Sequence, residues 1–422
     1  MKRVLLTGAA AAAVVYALVV TWRQNERAAG LDFYIYYVNA QLASRADVPN
    51  IYSAETQERI GEEYYARAET SGSELRKYDA TRRRRLDNVS SPFLYTTLRL
   101  AQSMSSRDYD RALTQYHLLV LLAFIAGVVL ICRRVQLSWA ATLFLLAALL
   151  LWYRGFEADL RVGNVNSLQL AVIGAMLWCP PILAGVLLGL LVAFKPNLIV
   201  IALLLAVSRF GTPPSRRLVW RRLAAWRRDG ASSAGGDAGV PLLVGVTIGV
   251  FLAILAAAIN YRSFNVWLQW IGAANQFFHR LQTREERNVA PFLSLFQQHG
   301  AWLSYAIAAL LVIIVCIAVV RAGKRNDVLI AGLAIMVYLI SAPVVWLHYM
   351  VLVLPLAIVL LRRWWTAVVS LVALAAIAEE PFELIFRKPV YPHDAALIAP
   401  ALIALFACGV WLLASDRDEA AA

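Results

Sequence analysis

The chain has 422 residues, of which 60% are hydrophobic and 16% are charged, and its formal net charge is +13. A typical soluble domain is about 45–50% apolar and about 25% charged, so this composition excludes an ordinary soluble protein. The arginines do not indicate nucleic-acid binding, because they cluster in short connectors between apolar runs, as the positive-inside rule describes. The cysteines lie in or at the ends of apolar segments and are interpreted as packing residues rather than disulfide partners: Cys132, Cys179, Cys316 and Cys408.

Apolar runs recur from one end of the chain to the other. A helix needs about 20 mostly apolar residues to cross a bilayer. The first run could be a signal peptide, but no convincing small-residue cleavage site precedes Arg23, so we expect it to be retained. We predict nine spans: Val4 to Trp22, Tyr116 to Cys132, Leu137 to Trp152, Val240 to Asn260, Ala301 to Val320, Val328 to Ala342, Leu347 to Leu361, Trp364 to Ala378 and Ala395 to Ala414.

The region from Asn166 to Ser208 is divided by Pro180-Pro181 and by Lys195-Pro196. The loop Arg209 to Arg228 carries seven arginines and should face the cytoplasm, which requires an odd number of crossings before it. Three short crossings satisfy this parity: Asn166 to Trp178, Pro181 to Phe194 and Pro196 to Ser208. A rival count makes the first of them re-entrant and Ile182 to Ser208 one helix, but it leaves Lys195 deep in the membrane, which is costly.

The predicted fold class is therefore all-α, a polytopic membrane protein with about 12 transmembrane helices and both termini in the cytoplasm. Residues 1–422 form one module with a long first external loop at 23–115, a basic cytoplasmic loop at 209–239 and an external loop at 261–300. Two helices in the first loop, Phe33 to Ser44 and Ala54 to Thr70, are expected along the membrane surface. The run Arg82 to Arg85 departs from the positive-inside rule and is expected to meet anionic lipid.

In this topology, polar residues from separate stretches of chain meet the outer side of the membrane. A carboxylate can act as a base, and lysine, histidine and asparagine can neutralise or hydrogen-bond a phosphate. Each also has an ordinary structural interpretation: an interfacial acid, a snorkelling lysine, or interhelical hydrogen bonds from the histidine and asparagines. The set comprises Asp32, Asn164, Asn166, Lys195, Asn288 and His348.

Several motifs resemble the family-87 glycosyltransferases, which have the GT-C membrane fold and use polyprenyl-phosphate sugars. The motifs are Asp32-Phe33-Tyr34 with Tyr36 to Ala40, Pro49 to Tyr52, Ser91 to Leu94, Gly163 to Leu168, Ala184-Gly185 through Gly189 to Lys195-Pro196, Ser263-Phe264 to Trp267, Asn288, and Ser341-Ala342-Pro343 to His348. The resemblance implies that Asp32 is the catalytic base and that Lys195 and His348 face the donor phosphate. Departures at Ser91-Pro92-Phe93, Gly163-Asn164 and His348-Tyr349 leave the donor sugar open, with mannose expected and arabinose or glucose as alternatives.

Together with these residues, the resemblance implies a hexosyltransferase of the cell membrane, expected to act on its external or periplasmic side with inversion. The expected partners are a polyprenyl-phosphate sugar donor, a lipid or glycan acceptor and membrane lipids. Arg161 and Arg280 are further candidates for holding the donor phosphate. The external acids are scattered, so no cofactor is expected and a divalent metal is only weakly indicated. The alternatives are a transporter or flippase of lipid-linked sugars, because broken helices also occur in transporters, and a non-catalytic membrane scaffold.

Overall fold

In a computed structural model, the chain is built from α-helices. The structure describes residues 2–26, 28–43, 45, 47–103, 108–210, 239–281, 288–300, 302–322, 326–378 and 394–415. Most of the basic loop at 209–239, the acids from Glu379 to Glu383 and the side chain of Arg280 lie outside the described residues.

The first part of the chain forms an apolar helix and then the helices of the first loop. These are α1 (Lys2–Asn25), α2 (Leu31–Leu42), α3 (Ala54–Glu69), α4 (Glu74–Arg82) and α5 (Pro92–Ser103). The middle part contains α6 (Tyr109–Arg134), α7 (Trp139–Trp152), α8 (Arg154–Val162), α9 (Asn166–Met176), α10 (Pro181–Phe194) and α11 (Ile199–Phe210). The last part contains α12 (Gly239–Tyr261), α13 (Asn265–Leu281), α14 (Leu293–His299), α15 (Trp302–Ala322), α16 (Asp327–Ser341), α17 (Leu354–Leu360), α18 (Trp364–Ala378) and α19 (Asp394–Ser415).

The expectation of a helical membrane protein is confirmed. Within the described ranges, five helices are long and apolar enough to cross a bilayer, and six if the bent pair α7 and α8 counts as one span. The other apolar helices are shorter: Asn166–Met176, Pro181–Phe194, Pro196–Phe210, Asp327–Ser341, Leu347–Leu360 and Trp364–Ala378. All the segments predicted to cross are therefore helical, but six of the twelve are too short for a full span, and seven are if α7 is counted without α8.

Two helix pairs run parallel at very short distance. A Cβ on Gly185 or Gly189 of α10 would lie 2.2 Å from a carbonyl oxygen of α12, Leu242 O and Val246 O respectively. The contact advances by four residues on both helices, so the two run in the same direction. In α6 and α9, Gly127 likewise touches Leu170 and Gly174 touches Leu130. Small residues permit this backbone contact in membrane helix pairs.

The helix α2 is buried in the protein, so the expectation that it lies along the membrane surface is wrong. Nine of its twelve residues are buried, including every residue from Phe33 to Ala40. A helix that is apolar on all sides is suited to a core rather than to an interface. Helix α3 keeps one exposed side and buries residues such as Ile60 and Tyr64 on the other. The first loop is thus packed onto the bundle and carries Asp32 into it.

Two breaks interrupt the apolar helices near the candidate site. After α10, the chain turns at Lys195 into a 3₁₀ segment, Pro196–Leu198, before α11 begins. After α16, Pro343 precedes another 3₁₀ segment, Leu347–Val353, which leads into α17. Such segments often mark a functional hinge, because their hydrogen bonding is poorer than that of an α-helix. They place Lys195 and His348 at helix breaks rather than inside continuous helices.

Candidate functional site

Asp32 lies in the first turn of α2, and both of its carboxylate oxygens have partners. Arg83 Nη2 donates to Oδ1 at 2.8 Å, and Asn164 Nδ2 donates to Oδ2 at 2.7 Å. The Asp32 side chain is 18% exposed and that of Arg83 25%, so the pair is partly shielded from water. Charge-assisted hydrogen bonds of this kind are stronger than neutral ones. Asp32 is therefore a carboxylate held between a cation and an amide.

The start of α2 is held by a second, buried acid, Asp79 on α4. Its Oδ2 accepts from the amide of Gly30 at 3.1 Å and from the hydroxyl of Tyr109 at 2.6 Å. Burial raises the pKa of Asp79 from 3.8 to about 6, while these two hydrogen bonds and the charge of Arg83 oppose the rise. Because Gly30 caps α2, Asp79 fixes the turn that carries Asp32.

A tight turn after α8 brings Asn164 to Asp32. Gly163 ends α8 with φ at 67°, a left-handed conformation that is unfavourable for residues other than glycine. A Cβ at this position would lie 2.7 Å from Cβ of Phe33 on α2. The hydroxyl of Tyr116 donates to Asn164 O at 3.1 Å and holds the turn from α6. The glycine is therefore needed twice, for its backbone angle and for its lack of a side chain.

Asp159 on α8 is fully buried and organises the first turn of α9. Its oxygens accept from the backbone amides of Asn166 and Ser167 at 3.3 and 2.9 Å. They also accept from Asn166 Nδ2 at 2.9 Å and from Ser167 Oγ at 2.6 Å. Burial raises the pKa of Asp159 to about 6, and the bonds from Ser167 and Asn166 oppose that rise. The carboxylate thus satisfies amides that the first turn of a helix leaves without an intrahelical partner.

Asn166 joins the acids to the cations. Besides Asp159, its Nδ2 reaches Asn164 Oδ1 at 3.1 Å and the carbonyl oxygen of His348 at 3.1 Å. Its Oδ1 accepts from Lys195 Nζ at 3.0 Å. Because the buried carboxylate takes the NH₂ end, the amide is oriented with its oxygen toward the ammonium. The orientation of Asn166 therefore follows from Asp159.

Lys195 and His348 complete the network from the two helix breaks. The ammonium of Lys195 lies 4.0 Å from the ring centroid of Tyr349, a cation–π contact. His348 Nε2 is 3.3 Å from Asn164 Nδ2, and its ring packs edge-on against Tyr349 at 4.8 Å. His348 also interacts electrostatically with Asp32, Lys195 and Arg83. The acid and the basic side chains therefore form one connected site.

The structure brings together five of the residues predicted from the sequence: Asp32, Asn164, Asn166, Lys195 and His348. Arg161 is directed elsewhere, with a side chain 60% exposed and 3.4 Å from Glu157. Asn288 is buried, and its side-chain amide bonds to the backbone: it accepts from Ala290 N and Val345 N and donates to Pro343 O. Its amide therefore holds the chain that precedes His348 and does not point at the acid or the cations.

Sequence reasoning missed Arg83, Asp159 and Tyr349. Arg83 had a signal, since the run Arg82 to Arg85 departs from the positive-inside rule, but its inward direction depends on how α4 folds back onto α2. The prediction that the whole run meets lipid is wrong for Arg83. Asp159 was counted among scattered external acids, and nothing in its local sequence distinguishes it from Glu157.

Comparison with known proteins supplies no relative: the chain matches no family model, no curated protein and no solved structure. In the described part of the chain, no three His, Cys, Asp or Glu side chains form a group that could hold a metal ion. The family-87 resemblance accordingly stays a prediction from the motifs, and the function has to be argued from the geometry of the site.

Proposed function

We propose that this protein is a membrane glycosyltransferase that moves a hexose from a polyprenyl-phosphate donor to a lipid or glycan acceptor. Mannose is the first candidate for the sugar, because the motifs resemble those of family-87 enzymes. The observation that carries the proposal is the connection of one carboxylate, Asp32, with Arg83 directly and with Lys195 and His348 through two asparagine amides. Transfer of a sugar from a phosphate to a hydroxyl requires a base for the hydroxyl proton and groups that stabilise the departing phosphate, and both are present here.

In the proposed reaction, Asp32 accepts the proton of the acceptor hydroxyl as that oxygen attacks the anomeric carbon. The new bond joins the acceptor oxygen to this carbon, and the bond from the carbon to the phosphate oxygen breaks. The electron pair stays with the polyprenyl phosphate, which leaves with one more negative charge. Lys195 and His348 stabilise that charge, and attack opposite the phosphate inverts the anomeric centre.

The location of the site supports a lipid-borne donor. Lys195 lies between two apolar helices, and His348 is the second residue of the 3₁₀ segment that precedes the buried apolar helix α17. In α11, which follows Lys195, the apolar side chains of Ile199 and Leu203 are exposed, and they would lie on the same helix side as the polyprenyl chain of a donor whose phosphate is held at Lys195. A donor with an apolar tail therefore fits this position better than a water-soluble nucleotide sugar.

We also propose the twelve-crossing topology, with the site on the external or periplasmic side of the cell membrane. The parallel contact of α10 with α12 supports it, because one further crossing, α11, must then return the chain between them. Phe210 at the end of α11 packs against Gly239 at the start of α12, as that return requires. The rival count, with Ile182 to Ser208 as one helix, would make α12 antiparallel to its partner. The same topology puts the reversal at Lys195 on the outer side.

The activity can be tested with purified protein in nanodiscs, radiolabelled polyprenyl-phosphate-mannose and a lipid extract. The wild type should form a labelled product, and Asp32→Asn should lose nearly all of it, because the amide cannot accept the proton. Asp47→Asn is a matched control, since this acid also lies in the first loop but pairs with Arg45 and Arg59 away from the site.

The result separates the proposal from its rivals. A transporter or flippase moves its substrate without forming a new glycosidic bond, and a scaffold does neither. Equal product from the wild type and Asp32→Asn would refute the assignment of the base. Absence of product with arabinose, glucose and mannose donors alike, together with movement of labelled lipid across a sealed vesicle, would favour the transporter.

A further inference from the structure

The arginine run of the first loop does not act as one surface patch. Arg84 binds Glu62 at 2.7 Å and lies over the ring of Tyr65, and Arg82 lies over another tyrosine ring of the loop. Arg83 turns the other way and reaches Asp32 at 2.8 Å. One member of a basic run therefore enters the site while its neighbours stay on the loop surface.

The ion pair conflicts with the proposed role of Asp32 as a base. Arg83 is bonded to Oδ1 while Asn164 is bonded to Oδ2, so neither oxygen is without a partner. A cation that close also competes with a substrate hydroxyl for the oxygen that must take up the proton. The arrangement is therefore that of a resting site, and a substrate has to displace Arg83 before Asp32 can act.

A phosphate is the group best suited to displace it. The guanidinium binds phosphate oxygens through two parallel hydrogen bonds and is weakly hydrated, so it readily exchanges a carboxylate for a phosphate. The remaining contacts of Arg83 are weak: Nε lies 3.3 Å from Leu31 O, and Nη1 lies 3.8 Å from Asp87 Oδ2. Its side chain is also partly exposed, which leaves room to move.

We infer that Arg83 is a ligand of the donor phosphate and that its ion pair with Asp32 is exchanged for that phosphate when the donor binds. This inference rests on the proposed function, because it names how the donor of that reaction is recognised. Donor binding then frees Oδ1 of Asp32, so the base becomes available only when a sugar phosphate is in place. The order of events is donor first and proton transfer second.

The exchange makes a testable double-mutant prediction for binding. The probe is a radiolabelled polyprenyl monophosphate, titrated onto the protein in nanodiscs, with the uncharged polyprenol as the control for binding of the tail. Arg83→Gln should weaken binding about tenfold or more, since it removes charge-assisted hydrogen bonds to the phosphate. Asp32→Asn should tighten binding several-fold, because Arg83 no longer has to leave a partner. The same Asp32→Asn change in the Arg83→Gln background should have no effect on affinity.

The outcomes distinguish this exchange from simpler explanations. If Asp32→Asn tightens binding equally in both backgrounds, the effect is general charge repulsion and the exchange is refuted. If Arg83→Gln binds as tightly as the wild type while folding normally by size-exclusion chromatography, Arg83 is only a structural partner of Asp32. Arg84→Gln is the matched control, with the same loss of charge in the same run, and should bind as the wild type does.

Further arms identify the source of the phosphate and separate this inference from the proposed function. Arg83→Lys should recover part of the affinity, because it restores the charge without the planar fork. Inorganic phosphate that competes as well as the lipid would show that the tail is not recognised and would overturn the lipid donor as ligand. Coupled binding without glycosyl transfer would refute the proposed reaction alone, and transfer without coupling would refute the role of Arg83 alone.

Discussion

Asp79 is a carboxylic acid enclosed by the first loop, and its replacement by asparagine tests how that loop is held. Its side chain is fully buried, and folding raises its pKa from 3.8 to about 6. A raised carboxyl pKa means that the protonated form is favoured in the folded state. The corresponding stabilisation is fully present below pH 3.8 and is lost as the pH rises through about 6. At about 1.36 kcal/mol per pKa unit, the loss is about 3 kcal/mol.

The substitution Asp79→Asn removes this titration and keeps the shape of the side chain. Its amide oxygen can still accept from Gly30 and Tyr109, while its NH₂ takes the place of Oδ1, a buried atom for which no described group is a partner. That NH₂ costs free energy, but the cost is the same at every pH. Relative to the wild type, the variant should therefore gain about 2.4 kcal/mol in the free energy of unfolding between pH 4 and pH 8, because part of the loss of about 3 kcal/mol falls below pH 4.

The measurement is unfolding in detergent micelles with increasing sodium dodecyl sulfate, followed by tryptophan fluorescence from pH 4 to pH 8. Glu58→Gln, which neutralises an exposed acid on α3, is the control for the change in net charge. Parallel curves for the wild type and Asp79→Asn over the whole range would show that the Asp79 carboxyl does not titrate with a raised pKa and would refute the reasoning.

Three further predictions concern the site and the topology. Asp159→Asn should lower kcat/KM for the donor about 10- to 100-fold, because the first turn of α9 loses acceptors; wild-type kinetics would show that the turn holds without them. Gly163→Ala should lower the thermal midpoint and reduce activity about tenfold or more, from strain at its positive φ and the contact at 2.7 Å. Gly72→Ala, with φ +72° in open space, should leave the kinetics unchanged, and an equal loss of activity there would contradict the argument. In a protein without native cysteines, Arg161→Cys should react with an impermeant thiol reagent outside intact cells and Arg134→Cys only after permeabilisation, and the opposite pattern would invert the topology.

Much of the helical framework could be predicted because the bilayer imposes it. Apolar runs must become helices in lipid, since no water satisfies the backbone there, and every predicted span is helical in the structure. The parity argument also predicted that Lys195 and Asn166 would share a side with Asp32, and these residues are joined in one network. The position of the basic loop and the lengths of the apolar runs were sufficient to predict that these residues lie at the same end of the helices.

The connections inside the site could not be predicted in the same way. Arg83 contacts Asp32 only because α4 packs back onto α2, and Asp159 reaches Asn166 only because Gly163 reverses the chain. Both contacts depend on loop geometry rather than on periodicity. The burial of α2 did have a signal, because the six consecutive apolar or aromatic residues from Phe33 to Val38 cover every side of the helix, which indicates a core.

The glycine contacts between α10 and α12 decide how Lys195 can move. Where backbone touches backbone at Gly185 and Gly189, no side chain lies between the helices that could yield and let one slide past the other. We therefore expect the two helices to move as one body. The backbone of Lys195, at the end of α10, moves only when both helices move. A rearrangement of this half of the site would therefore fall in the turn Pro196–Leu198, which joins Lys195 to α11 and has no such glycine contact.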